Sequence, residues 1–227
     1  MSGVCLAAVT MLTYSASEAS LGSKVRPMTT TTEQSPVTDV TLECKPTRIG
    51  TKLSFPYTVM NRSEADIYVM DAVASVDPSS KTAVANRDSV VIYVMSDGRA
   101  HVLKGIAPLP TDRRVTVRII PFATKLPPGE TLTRQLDVPL PLAETSPYFA
   151  DLPLRQYEMV DIPGVLFSVD FLRSTAEGFS AMPVDFAPDL YRVSAKNTVG
   201  MTERLSTSFP TQRLSIMKRG DAFPRPD

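Results

Sequence analysis

From Asp39 to about Phe171 apolar and polar side chains alternate with a period of two, and turn residues interrupt the alternation at short intervals. Val40, Leu42 and Cys44 alternate with Thr41 and Glu43; Leu53, Phe55, Tyr57 and Val59 alternate with Ser54, Pro56, Thr58 and Met60. Successive side chains of a strand point to opposite faces of a sheet, so this pattern predicts half-buried strands. Pro56 has no N–H to give a ladder, which predicts an edge strand or a bulge there. The polar break Asn61-Arg62-Ser63-Glu64 precedes another run, Ile67 to Val73. A hairpin is predicted where Val90 to Met95 and Ala100 to Leu103 flank Ser96-Asp97-Gly98-Arg99, because Asp-Gly tolerates the positive φ of a tight turn. Further strands are predicted at Val115, Val117 and Ile119, with Arg114, Thr116 and Arg118 on the other face. The turn Pro127-Pro128-Gly129 separates these from Leu132, Leu136 and Val138, and a last strand carries Val165, Phe167, Val169 and Phe171.

Many short strands without a long helical period predict an all-β fold. The expected form is an immunoglobulin-like antiparallel β-sandwich with extended N- and C-terminal segments, since glycine is too scarce for a strongly kinked barrel. The segment Leu53 to Asn61, its polar turn, the Ile67 run and the later Pro128-Gly129 resemble generic immunoglobulin-like modules of bacterial envelope proteins. That resemblance implies architecture alone and carries no functional residue with it.

The expected organisation is an N-terminal segment at 1–38, a sandwich at 39–195 and an extended tail at 196–227. Val4 to Leu12 is apolar, and Ser17 and Ala19 are small enough for a signal-peptidase cut, but no Lys or Arg precedes the run. Export to a periplasmic or extracellular space and retention in the cytoplasm therefore both stay open. Met28 to Thr38 reads as a polar linker, and Arg213 to Asp227 as a loose tail with Lys218 and Arg219 solvated. Between them, Asp189 to Val193 reads as one more strand and Phe179 to Pro188 as an extended segment packed across the sandwich, with an arm that docks on another subunit as the equal alternative for 173–212. No stretch reaches ~18 continuous apolar residues, so no transmembrane segment is expected.

Composition then narrows the chemistry. Lys and Arg number 24 against 24 Asp and Glu, and a formal charge of zero argues against nucleic acid or an anionic membrane as partner. Two cysteines cannot build a disulfide scaffold and one histidine cannot build a His-rich metal site, so no cofactor or metal is expected. Any Ser-His or Cys-His mechanism would have to use His101, which reads as an ordinary strand histidine beside a turn. Cys44 reads as a small core hydrophobe, with no partner if Cys5 is removed with the leader. A blue-copper site fails on the histidine count. The acidic neighbours Glu64/Asp66 and Asp185/Asp189 lie in no calcium-loop pattern. Arg113, Arg114 and Arg118, balanced by Asp112, read as a solvated sheet face. Asn61-Arg62-Ser63 satisfies the glycosylation pattern. No catalytic residue is assigned.

The expected function is accordingly that of a non-enzymatic binding or structural protein, meeting a protein partner through sandwich surface and loop contacts, with the cell envelope as one setting. The candidate interface residues are Asp97 and Arg99 at the hairpin tip, and Tyr148 and Phe149 in the loop from Ala143 to Asp151. Self-association into a capsid, fibre or envelope complex is one alternative. A proteinase inhibitor presenting Thr124 to Gly129, or a hydrolase without a recognisable motif, is another.

Overall fold

The computed structural model describes residues 39–112, 114–221 and 223–225; the apolar run, the linker and Cys5 lie outside them. Fourteen strands follow in chain order: β1 Val40–Cys44, β2 Thr47–Ile49, β3 Lys52–Asn61, β4 Ile67–Val76, β5 Ala83–Asn86, β6 Val91–Val94 and β7 Ala100–Lys104. Then come β8 Phe122–Leu126, β9 Thr131–Pro139, β10 Leu142–Ala143, β11 Tyr157–Arg173, β12 Ser180–Val184, β13 Ala187–Ser194 and β14 Glu203–Arg219. The only helices among the described residues are a turn at Leu154–Gln156 and α1, Thr198–Met201. No helix there is long and apolar enough to cross a membrane. The fold is all-β, with two sheets packed as a sandwich.

The smaller sheet is built on β3, with β9 on one side and β1 and β2 on the other. β1 and β2 keep one register against β3 and are interrupted at Lys45-Pro46, opposite Phe55 and Pro56. Here the structure corrects the expectation for Pro56. β3 is central, and the missing N–H falls where the neighbouring strand is broken; only Lys45 N–H bridges the gap, to the Pro56 carbonyl at 3.4 Å.

The larger sheet runs β10-β14-β11-β4-β8-β13-β12. Its spine is the pair β11 and β14, antiparallel along their length with one register shift between Ile162 and Gly164. The expected extended tail over 196–227 is thereby corrected: most of it is β14, within the same compact unit as the sandwich. β7 lies parallel to β11, and β10 parallel to β14, so the sheet is not purely antiparallel as expected. β6 pairs with β7, and Ile92 on β6 exchanges both backbone hydrogen bonds with Thr145, two residues beyond β10. Hydrogen bonding therefore runs from β14 through β11, β7, β6 and the 142–145 segment back to β14.

The main core lies between the sheets. Phe55, Tyr57, Val59, Leu132 and Leu136 from one side meet Val102, Val165, Phe167, Val169 and Phe171 from the other. Phe55 stacks on Phe167 with centroids 5.2 Å apart. The outer face of the larger sheet is also covered. Val91, Tyr93 and Leu103 pack under Ala107, Phe149 and Phe223, while Tyr68, Met70 and Leu172 pack with Ile106 and Val193. β6 and β7 are buried on both faces as a result, and the side chains that alternation alone assigns to solvent are enclosed.

Two strand expectations are corrected. Val115, Val117 and Ile119 form no strand, and Val117 is 74% exposed. The strand begins at Phe122, so Thr124 to Leu126 lie inside β8, between β4 and β13, and cannot form a protruding inhibitor loop. The Asp97-Gly98 turn is present as expected, with Gly98 at φ 83°. Asp189 to Val193 lies in β13, and Phe179 to Pro188 becomes the edge hairpin of β12 and β13.

Candidate functional site

The only histidine is enclosed. His101 on β7 is 3% exposed because loop residues cover the outer face of its strand. Its Nδ1 lies 2.5 Å from the Tyr93 hydroxyl and its Nε2 2.8 Å from Ser168 Oγ, which in turn lies 2.8 Å from Ser206 Oγ. A neutral imidazole donates from one nitrogen and accepts at the other, so it satisfies both hydroxyls. Desolvation, with Arg204 and Arg99 nearby, pushes its pKa down from 6.5 to about 4, which keeps the ring neutral at pH 7. The Ser-His contact lies in the protein interior. Ser168 has no exposed surface, and Nδ1 faces a phenol where a triad places a carboxylate.

Other reactive groups are enclosed in the same way. Burial pushes the Cys44 thiol up to about 12, so it is not a thiolate at neutral pH. Asp71, 1% exposed, accepts from Arg87 at 2.7 Å, from Arg134 at 3.3 Å and from the Thr124 hydroxyl at 3.0 Å. Lys104 beside it donates to the carbonyls of Arg87 and Ser89, and desolvation lowers its pKa to about 8. Glu144 accepts from the backbone N–H groups of Val94 and Arg219 and from the Arg225 guanidinium, which fixes the closure of the larger sheet. Among the described residues no group of three or more His, Cys, Asp or Glu is placed to hold a metal ion. The expected acidic neighbours are drawn into ion pairs, Asp66 with Lys125 and Asp189 with Arg87. Asn61 is fully buried, and its amide donates to the Ala65 and Leu126 carbonyls, so it offers no glycan acceptor.

The open surface lies at the hairpin tip. Asp97 and Arg99 form an ion pair at 2.6 Å, and Asp97 Oδ1 accepts the Arg99 N–H at 3.0 Å. That pairing holds the Asp97 carboxyl below the usual carboxylate range. Arg99 Nη1 also donates to Ser208 on β14 at 2.8 Å. Two grooves open here. One, of about 340 Å³, runs between the tip, Pro163-Gly164 and Ser208; the other, of about 370 Å³, lies by Lys45, Leu53 and Val165. Both are lined by Phe209 and Pro210.

The structure thus brings Asp97 and Arg99 together in an ion pair and covers the other two candidates. Phe149 is only 8% exposed, with Phe223 at 5.0 Å and the Arg219 guanidinium 5.3 Å over its ring. Tyr148 is half-buried, and its hydroxyl accepts the Ile119 N–H at 3.0 Å. Neither is a free interface anchor, a correction that follows from the C-terminal residues folding back over this loop. Ser208, Phe209 and Pro210 were missed by the sequence reading. The alternation of Leu205, Thr207 and Phe209 with Arg204, Ser206 and Ser208 was the available signal. No family model, curated protein or solved structure matches this chain.

Proposed function

We propose that the protein is a non-enzymatic binding protein that meets a protein partner at the surface formed by the Asp97–Arg99 turn and the Ser208-Phe209-Pro210 stretch of β14. The carrying observation is the convergence of two open grooves on Phe209 and Pro210 beside a turn already fixed by its own ion pair. A turn held in one geometry loses little entropy on binding, and a half-buried aromatic flanked by Arg suits the centre of an interface. The confinement of His101, Cys44, Asp71 and Lys104 within the fold supports a non-enzymatic reading. The immunoglobulin-like likeness belongs to this proposal too, resting on two facing sheets with alternating inward side chains, as does an envelope location.

The test is affinity capture from the native host with wild-type protein and an Arg99→Glu variant. Reversal of that charge breaks the ion pair with Asp97 and places two like charges in the turn, so a partner bound there is depleted from the variant. A partner retained equally by both proteins counts against this surface.

A further inference from the structure

We propose that a second cleft, bounded by Ile106, Pro108 and Val199 and closed by Arg118 and Arg204, binds a small monocarboxylate with an apolar body. The cleft shares no lining residue with the Asp97–Arg99 surface, so the inference stands apart from the proposed partner site. Its volume is about 330 Å³, at the lower end of the range of small-molecule sites.

Charge sets the sign of the ligand. The lining carries two guanidinium groups and one carboxylate, Asp170. That carboxylate is already engaged: Oδ1 accepts Arg204 Nε at 2.7 Å, and Oδ2 accepts Arg204 Nη2 at 3.0 Å and the Ile106 N–H at 2.9 Å. Arg118 is left uncompensated. Its Nε is the one buried side-chain nitrogen or oxygen without a hydrogen-bond partner among the described residues, and it forms no ion pair among them. That Nε is itself sealed from solvent, so what invites a ligand is the place of the Arg118 guanidinium in the cleft lining with no carboxylate opposite it. A guanidinium presents a planar fork of donors that matches a carboxylate in two parallel bonds. The remaining lining is Ile106, Ala107, Pro108, Val199 and Thr202, and the Thr202 hydroxyl already donates to the Thr198 carbonyl at 2.7 Å, so a mainly apolar wall is left for an apolar body behind the carboxylate.

The charge pattern predicts Arg118 on a solvated sheet face. Instead, residues 114–121 form no strand, and this irregular path takes the side chain to the cleft.

The experiment is a calorimetric and NMR titration of the full chain with benzoate, benzyl alcohol and inorganic phosphate, repeated on Arg118→Gln. Arg118 has no partner in the fold to lose, so the variant is expected to keep its melting temperature. Saturable binding of benzoate by the wild type, weakened by about tenfold or more both in Arg118→Gln and for benzyl alcohol, is the expected result. No saturable benzoate signal, or equal affinity in Arg118→Gln or for benzyl alcohol, overturns the proposal. Phosphate binding as tightly as benzoate removes the role of the apolar walls and overturns it as well.

Discussion

Gly105 passes directly over Asp170: a Cβ built on Gly105 would lie 2.2 Å from Oδ2 and 2.4 Å from Cγ of that carboxylate. The closeness lets the chain leaving β7 turn and place the Ile106 N–H on the same oxygen at 2.9 Å. Asp170 is 1% exposed, and its two oxygens hold Arg204 in a fork. Breaking one side of a buried ion pair strands the other charge, which costs far more than the intact pair contributes.

A Gly105→Ala substitution should therefore displace the Asp170 carboxylate and lower stability by about 3 kcal/mol. Urea denaturation checks this directly. A variant within about 0.5 kcal/mol of wild type, in the range of ordinary surface substitutions, would show that the contact is not constraining.

His101 makes stability depend on pH with a defined sign. Its folded pKa of about 4 lies below the unfolded value of 6.5, so the unfolded chain binds the proton more readily between these values. Stability contributed by the neutral ring is complete above pH 6.5 and is lost as pH falls toward 4. The loss amounts to roughly 3 kcal/mol. A His101→Gln variant keeps hydrogen-bonding capacity without titrating there. Denaturation at pH 7 and pH 4 should show wild type losing roughly 3 kcal/mol more than the variant between the two conditions. Equal losses would remove His101 from the acid response.

The clamp at Glu144 makes a third case. Its carboxylate joins β6 to the end of β14 and anchors Arg225, whose Nε lies 2.8 Å from Oε1. Glu144→Ala leaves two buried backbone N–H groups without an acceptor and the Arg225 guanidinium with backbone carbonyls alone, and should cost about 3 kcal/mol or more. Hydrogen exchange should speed up at Val94 and Arg219 before it does so at the central strand β3. Uniform acceleration across the sandwich would mean that the closure is not a separate unit.

The fold class was legible because alternation reports directly on a half-buried strand. Leu53 to Val59 and Val165 to Phe171 show it cleanly, and both lie against the main core. The outer cover of the larger sheet was not legible. His101, Ser168 and Asp170 occupy positions that alternation assigns to solvent, and they are buried by residues 106–107, 149 and 223, which pack over the sheet from far along the chain. The β14 strand was hidden by Pro210 and by its polar face of Arg204, Ser206 and Ser208, so its most exposed groove residues went unread. The turn that carries Asp97 and Arg99 was legible because Asp-Gly between two apolar runs specifies a tight turn whatever packs behind it. Tyr148 and Phe149 were misread, since an aromatic pair in a loop looks the same whether solvent or Phe223 covers it.

The most direct measurement of the binding claim is site-specific photo-crosslinking in the native host, with the crosslinking residue at Ser208 and, as control, at Thr133 on the exposed face of β9. A distinct adduct from position 208 that is absent from position 133 and is lost on Arg99→Glu is the predicted result. No adduct from 208, or the same adduct from both positions, would contradict a binding role for the surface at Asp97, Arg99 and Phe209.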